Sequence, residues 1–382
     1  MSHTKKFAFH FLLFLSGCIF ALIMLEMLLR VHDPFKFRVR GDKIVLPANV
    51  DYTFKNNSLK KLDQNIIHKK NSLGFRGEEP PKNFENYLTI ITVGGSTTEC
   101  FYLSDDKQWT YVLGMNLKNH FKKLWINNAG LDGHSTFGHI VLMEDYMIKL
   151  KPKIVLFLVG INDKGMKNSR FHDSKMLKTL SFESIAGLLI SIANYSETLT
   201  LALNMYRYIK AKNMRLTHNT EINLEEVSKE IIDISEENEF LIKQMHREKY
   251  LNGYEMRLRK LIDISRENEI EPVFITQPAL YGGAIDDITH VNLAQIKLGD
   301  TNGELGWEVL ELYNDITRKV GIRENVFVID LAKELPKSSR YYYDWAHYTN
   351  EGAEKVAGII SKHLCPFLAK KYPEYLVKDC DI

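Results

Sequence analysis

Leu88-Thr-Ile-Ile-Thr-Val-Gly-Gly-Ser96-Thr-Thr-Glu99 sets a strand-length apolar run directly before two glycines and a serine. A strand that ends in a tight glycine turn and delivers a hydroxyl at the C-terminal edge of a sheet is how α/β hydrolytic enzymes hold an oxygen nucleophile. Alone, the same turn also reads as an ordinary strand-to-helix loop in which Ser or Thr caps the next helix. Its weight comes from the segments that follow it.

Trp125-Ile-Asn-Asn-Ala129 reads as a shorter strand and runs into Gly130-Leu-Asp-Gly133-His134-Ser135. Lys153-Ile-Val-Leu-Phe-Leu-Val159 has buried-strand length and runs into Gly160-Ile-Asn162-Asp163. Glu271 to Thr276, followed by Gln277-Pro278, and Asn325 to Asp330 complete a set of five strands. Short strands alternating with helical patterning predict the α/β class: a doubly wound, mostly parallel five-stranded sheet with helices on both faces. In such a sheet the site lies at the C-terminal edge. Further on, Asp344-Trp-Ala-His347 puts a carboxylate three residues before an imidazole. By itself that pair is a capped turn more often than a site.

The chemistry of the set can be argued from residue types. Ser96 is a weak nucleophile until a base takes its proton, and His347 suits that role because an imidazole titrates near neutrality. Asp344 would fix the tautomer of His347 and stabilise the imidazolium as it forms. The tetrahedral intermediate needs donors for its oxyanion. Candidates are the Ser96 N–H, a glycine N–H from Gly130 or Gly133, and the Asn162 side-chain amide.

In order, Gly-Gly-Ser96, Gly133, Gly-x-Asn162-Asp163 and Asp344-x-x-His347 resemble the SGNH (GDSL-type) hydrolase superfamily, named for the Ser, Gly, Asn and His of its four blocks. The resemblance covers Asn71 to about Lys362 and implies a flavodoxin-like three-layer sandwich. It implies Ser96, Asp344 and His347 as catalytic residues, and Ser96, Gly133 and Asn162 as the oxyanion hole. Gly133 is preferred to Gly130 on the same ground, as the glycine before a small polar pair. Asn71-Ser-Leu-Gly-Phe-Arg-Gly77 is similar to the lead-in of membrane-anchored bacterial members. The commoner first block is Gly-Asp-Ser, and Gly95 stands where that Asp would be, a departure that bears on subfamily.

Around these blocks the sequence leaves several readings open. Asp163 can cap the segment after its strand, Arg76 can face the site or pair with Glu78 or Glu79, and Gln277 can read substrate or satisfy backbone near Pro278. Thr97 and Glu99 read as a helix start, and Cys100 as a small buried hydrophobe. Cys365 and Cys380 are free to pair, and the four cysteines are too few for a disulfide framework. No Gly-Lys-Ser/Thr follows the first glycine turn and no Gly-x-Gly-x-x-Gly follows a strand, so neither a P-loop nor a dinucleotide site is expected. His134 and His139 lack matching ligands, so no metal or cofactor is expected. With 50 Lys plus Arg against 48 Asp plus Glu, the net charge of +2 gives no case for nucleic-acid binding.

Phe7 to Leu29 is an apolar run long enough to cross a bilayer. Lys5 and Lys6 precede it and Arg30, Lys36, Arg38 and Arg40 follow it, so charge counting does not place the N-terminus inside. A periplasmic or extracytoplasmic catalytic domain is what the resemblance implies. Leu15-Ser-Gly-Cys18 also resembles a bacterial lipobox, but the apolar run continues through Leu29, which favours an uncleaved single-pass anchor. The expected organisation is an anchor over 1–30 (span 7–29), a linker and lead-in over 31–70, a hydrolase domain over 71–370 and a tail over 371–382. The domain carries a helical insertion at about 164–250. Within the insertion, Ile185, Leu188, Leu189, Ile192 and Ala193 fall at helical spacing and are expected to pack into a core, ahead of covering the site or touching the membrane. Glu221 to Glu269 reads as one or two long amphipathic helices.

The expected function is a membrane-tethered serine esterase acting on acyl esters, acetyl foremost, of a cell-envelope carbohydrate or lipid through an acyl-Ser96 intermediate. An O-acyltransferase with the same triad is one alternative, because the difference lies in whether water or a sugar hydroxyl takes the acyl group. A non-catalytic envelope scaffold of the same fold is the other, and a scaffold has no need of the whole residue set.

Overall fold

A computed structural model describes residues 3–32, 39–41, 43–167, 185–213, 218–228 and 230–380. Two compact units emerge, Met1–Pro47 with Ser174–Leu216, and Ala48–Asp173 with Thr217–Ile382. The expected insertion is therefore shared between them; its residues 168–184 and 214–217 lie outside the described residues, as do Lys36 and Arg38.

In the larger unit the central sheet contains, in chain order, β1 (Arg76–Gly77), β2 (Leu88–Gly94), β3 (Leu124–Asn128), β4 (Ile154–Val159), β5 (Glu271–Thr276) and β6 (Phe327–Ile329). Their spatial order is β6-β5-β4-β2-β3-β1. The five expected strands are parallel to one another, and β1 adds an antiparallel edge against β3. Two residues have no period to detect, which is why β1 has no signature in the sequence. β2 and β4 carry apolar residues without alternation because helices cover both of their faces, and every position of both strands is buried.

One face of the sheet meets Trp109, Leu113 and Leu117 of the Trp109–Lys118 helix and Val356, Ile360 and Leu364 of the Asn350–Lys371 helix, in a core that includes Leu88, Ile90, Leu156 and Ile275. A long helix that starts in the insertion and runs past it serves β5 instead: Glu236–His246, a π-helical turn at Arg247–Leu251 and Asn252–Glu267 follow one another, burying Tyr254, Leu258 and Leu261. From β2 the chain steps to β3 on one side and then crosses to β4 on the other. The loops after β2 and β4 therefore diverge at a topological switch point, where α/β sheets place their crevice.

The stretch read as linker and lead-in contains more structure than that name implies. Val50–Lys55 and Asn65–Lys70 pair as an antiparallel hairpin, with Ile66 and His68 buried and Ile67 and Lys69 exposed. Its alternation is spread over polar residues as well as apolar ones, which hides it from a hydrophobicity reading. At the other end, Cys365 and Cys380 form a disulfide that ties the tail to the last helix.

The smaller unit holds the N-terminal helix His3–His32 and two helices of the insertion, Ile185–Ala193 and Glu197–Asn213. Phe9–His32 is long and apolar enough to cross a membrane. The expectation that the insertion's apolar stripe packs into a core fails in part. Of that stripe Ala193 is buried, Leu188, Leu189 and Ile192 are exposed, and the Ile185 side chain lies outside the described residues; Ile190, which is not part of the stripe, is buried.

Candidate active site

Ser96 is the first residue of a single helical turn, Ser96–Glu99, closed by the Glu99 N–H donating to Gly95 O at 2.9 Å and the Cys100 N–H donating to Ser96 O at 2.9 Å. As the first helical residue it has a backbone N–H with no acceptor inside the turn. A Cβ on Gly95 would lie 2.2 Å from Asn162 Nδ2, so an aspartate there would have to displace that amide. Glycine at this position thus lets the loop after β4 press directly against the residue before Ser96.

His347 comes from the loop before the Asn350–Lys371 helix, whose N-cap, Thr349, accepts from the Gly352 N–H at 3.0 Å. Asp344 folds that loop: its Oδ1 accepts from the Ala346 and His347 N–H groups at 2.9 and 2.8 Å. The same carboxylate lies 2.7 and 2.9 Å from His347 Nδ1, and His347 Nε2 lies 2.7 Å from Ser96 Oγ. Burial alone would raise the Asp344 pKa, but the charge and hydrogen bond of His347 and the two backbone donors hold it below the usual carboxylate range. A hydroxyl facing an imidazole whose far nitrogen is held by an ionised carboxylate can transfer its proton as the oxygen attacks.

Asn162 follows β4 on a 3-10 turn, Ile161–Asp163, and donates through Nδ2 to His134 O at 3.0 Å. Gly133 precedes that carbonyl with φ at +73°, in the turn where the His134 N–H donates to Leu131 O at 3.1 Å. The structure therefore joins Asn162, the Gly133 turn and the residue before Ser96 in one cluster. Gly130 has a different constraint, since a Cβ there would lie 2.4 Å from Glu99 N. It is the point of close approach to the Ser96 turn.

Asp163 does cap, but the helix it caps follows β3: it accepts from Thr136 N–H at 3.1 Å and from the Thr136 hydroxyl. Arg257, on the Asn252–Glu267 helix, closes this buried group, with Nη2 3.1 Å from Asp163 Oδ1 and Nε donating to Thr136 Oγ1 at 2.6 Å. Arg76 pairs with neither Glu78 nor Glu79. Buried, it bonds Asp105 at 2.7 Å and donates to the carbonyls of Glu99, Cys100 and Leu103, which end the Ser96 turn. Gln277 is buried and spends its amide on Thr97 and Pro278 O, the backbone-satisfying alternative. Glu99 is buried and accepts from the Asp132 N–H, while Cys100 is a buried thiol whose pKa burial pushes up to about 12.

Sequence reasoning missed His218. This insertion residue stacks on His347 with ring centroids 4.2 Å apart and planes 23° from parallel. Its Nε2 lies 3.1 Å from Asp132 Oδ2 and its Nδ1 3.1 Å from the Tyr343 hydroxyl. Burial alone would favour the neutral ring, but the hydrogen bond and charge of Asp132, with weaker help from Asp344 and Glu99, hold its pKa above that of an ordinary histidine. Nothing in the local sequence marks it, because its partner is 86 positions away.

Among the described residues, the group with metal-like spacing is His120 with Cys365 and Cys380, whose sulfurs are joined in the disulfide and offer no thiolate.

A sequence model of the GDSL-like lipase/acylhydrolase family matches residues 92–355, a span containing Ser96, Gly133, Asn162, Asp344 and His347. A search of curated proteins finds no match. Among solved structures, the acetyl xylan esterase AlAXEase is 17% identical over 71% of this chain and 96% of its own, with a TM-score of 0.38. A catalytic mutant of Axe2, an acetylxylan esterase from Geobacillus stearothermophilus, is 12% identical over 72% of this chain and 93% of its own, with a TM-score of 0.40. LAE5, an alpha/beta hydrolase from the metagenome of Lake Arreo, Spain, is 13% identical over 73% and 93%, with a TM-score of 0.38.

Proposed function

The chain belongs to the GDSL-like lipase/acylhydrolase family of ester-hydrolysing enzymes, and from that premise we propose that it is a membrane-tethered serine esterase working through an acyl-Ser96 intermediate. The observation that carries the reading is the unbroken line from Asp344 through His347 to Ser96, with 2.7 Å at each link.

In the first half-reaction Ser96 Oγ attacks the acyl carbonyl carbon as its proton passes to His347 Nε2. The oxyanion is received by the Ser96 N–H, the Gly133 N–H and the Asn162 amide. Collapse breaks the ester C–O bond, and the leaving alcohol takes the proton from His347. Water then attacks acyl-Ser96, gives a proton to His347 Nε2, and the second collapse releases the carboxylic acid and restores the Ser96 hydroxyl. Asp344, held below the usual carboxylate range, stays ionised throughout.

The substrate we propose is an acylated, chiefly acetylated, carbohydrate or lipid of the cell envelope. The ester-hydrolysing chemistry of the family supports the acyl ester in that choice. The apolar N-terminal helix supports a single-pass anchor, and the catalytic unit is proposed to lie outside the cytoplasm. The Cys365–Cys380 pairing agrees with an oxidising compartment.

The test is a fluorophosphonate probe and p-nitrophenyl acetate on the full chain in detergent, beside Ser96→Ala. Labelling that maps to Ser96, with turnover lost in the variant, is expected; an unlabelled wild-type chain that turns over no ester overturns the reading. Adding an acetylated oligosaccharide and following the acyl group by mass spectrometry separates hydrolysis, which yields free acetate, from transfer to a second sugar. A reporter fused after Ile382 that works only in the cytoplasm would sink the proposed topology.

A further inference from the structure

Glu26 lies in the last third of the N-terminal helix, about 9 Å of helical rise before its end at His32. A carboxylate at that level of a membrane span is costly unless its oxygens are satisfied. Here they are satisfied from the insertion. Glu26 Oε1 accepts from the Glu197 N–H at 3.0 Å, and Oε2 accepts from the Thr198 N–H at 3.0 Å and the Ser196 hydroxyl at 2.9 Å. Arg30 reaches back to Glu26 at 2.9 Å and also donates to Tyr195 O at 2.5 Å. Glu26 thus supplies the N-terminal cap of the Glu197–Asn213 helix, and the turn at 195–198 is held at the depth of Glu26. This contact belongs to a folded unit, which is what a retained anchor makes and a cleaved leader does not.

The Ile185–Ala193 helix runs into that turn. No charged residue stands between Ile185 and Ser196. Its inner side buries Ile190 and Ala193, while Leu188, Leu189 and Ile192 are 48%, 42% and 46% exposed and Tyr195 is 75% exposed. Nine residues rise about 14 Å, less than half of a hydrocarbon core, so this helix cannot span a bilayer. A short uncharged helix with one exposed aliphatic face, ending in tyrosine at the level of a span's last turns, has the composition of an interfacial segment.

We propose that the Ile185–Ala193 helix inserts into the same bilayer as the N-terminal span, with Leu188, Leu189 and Ile192 among the acyl chains and Tyr195 at their boundary. The occupant of this apolar face is lipid. The insertion is then a second membrane contact that fixes the orientation of the smaller unit, where a lone helix would leave it free to swivel. The inference rests on the anchor reading given above.

Its test uses the full chain in phosphatidylcholine/phosphatidylglycerol vesicles, on a Cys18→Ser background, with an environment-sensitive fluorophore at Leu189→Cys, Leu22→Cys or Ile322→Cys. The expected result is blue-shifted emission, quenched by doxyl-labelled lipid, at positions 22 and 189, with neither at 322. Quenching at 22 with water-like emission at 189 overturns the inference and leaves the anchor standing. Water-like emission at 22 overturns the anchor reading, and this inference with it. Because the labelled variants can fold poorly, the unmodified chain is also exposed to a diazirine-bearing phospholipid. Crosslinks mapping to 188–195 are expected, and crosslinks confined to the N-terminal helix overturn the inference.

Discussion

Two aspartate-held histidines lie face to face beside Ser96, and they are built in opposite ways. His347 takes its aspartate from three residues back, in a loop that the aspartate itself folds through two backbone N–H groups. His218 takes Asp132 from the Gly130–Gly133 segment, 86 positions away. Chemically they differ in what the second ring nitrogen meets. For His347 it is the Ser96 hydroxyl at 2.7 Å; for His218 it is the phenol of Tyr343 at 3.1 Å. The first pair can move a proton to and from a reacting oxygen. The second has both nitrogens committed to the protein and can act only on its neighbour, as a wall for the His347 ring and as a source of charge next to it.

Substitutions matched across the two pairs break or sharpen this contrast. His347→Ala and Asp344→Asn are expected to lower kcat by about 10⁴-fold, as loss of the base or of its tautomer does in serine triads. His218→Phe keeps a ring against His347 and is expected to cost about two- to tenfold, the scale of one aromatic contact. Stopped-assay rates on p-nitrophenyl acetate at pH 8 measure all three. If His218→Phe falls with His347→Ala, the two histidines share a role and the contrast is wrong. Asn162→Ala belongs between them: removing one oxyanion donor costs about 10²–10³-fold in kcat. A rise in KM with kcat unchanged would instead make Asn162 a ground-state binding group.

What was legible in the chain follows the same division. β2, β4 and β5 announce themselves as apolar runs because each is buried on both faces, and Asp344 and His347 are close in sequence because the turn that joins them is local. Gly95 and Asn162 could be named, but not that Gly95 is a glycine because the Asn162 amide occupies the space a side chain would fill. For Arg76 the local sequence offers the site or its neighbours Glu78 and Glu79. The fold instead brings it Asp105 and three carbonyls at the end of the Ser96 turn. His218 in the insertion and Arg257 on the helix just after it have no motif around them, and their partners Asp132 and Asp163 are supplied by loops after β3 and β4. Contacts that join an insertion to a sheet edge carry no local period, so nothing in the chain spaces them.

The smallest expected effect is the one most specific to the outer pair. The groups facing His218 are Asp132, Tyr343, Tyr102 and the His347 ring, with Asp344 and Glu99 acting through their charge. Its folded pKa is raised, so the stability contributed by the Asp132 pair is fully present below the unfolded histidine pKa, about 6.5, and is lost as pH rises through the higher folded value. Asp132→Asn should therefore lower Tm most at pH 5.5–6, by about 2 °C for a pair worth about 1 kcal/mol with one partner partly solvated, and hardly at all near pH 9. Equal losses at both ends would mean that Asp132 acts through packing or backbone alone. The same charge has a kinetic consequence. A protonated His218 stacked 4.2 Å from His347 opposes the second imidazolium that must form there during acylation, so protonation of His218 contributes to the acid limb of kcat/KM. His218→Phe removes that opposition and should move the acid limb to lower pH, whereas Asp132→Asn, by leaving any imidazolium unpaired, should weaken protonation of His218 and move it the same way. An acid limb unmoved in both variants would reduce His218 to a wall.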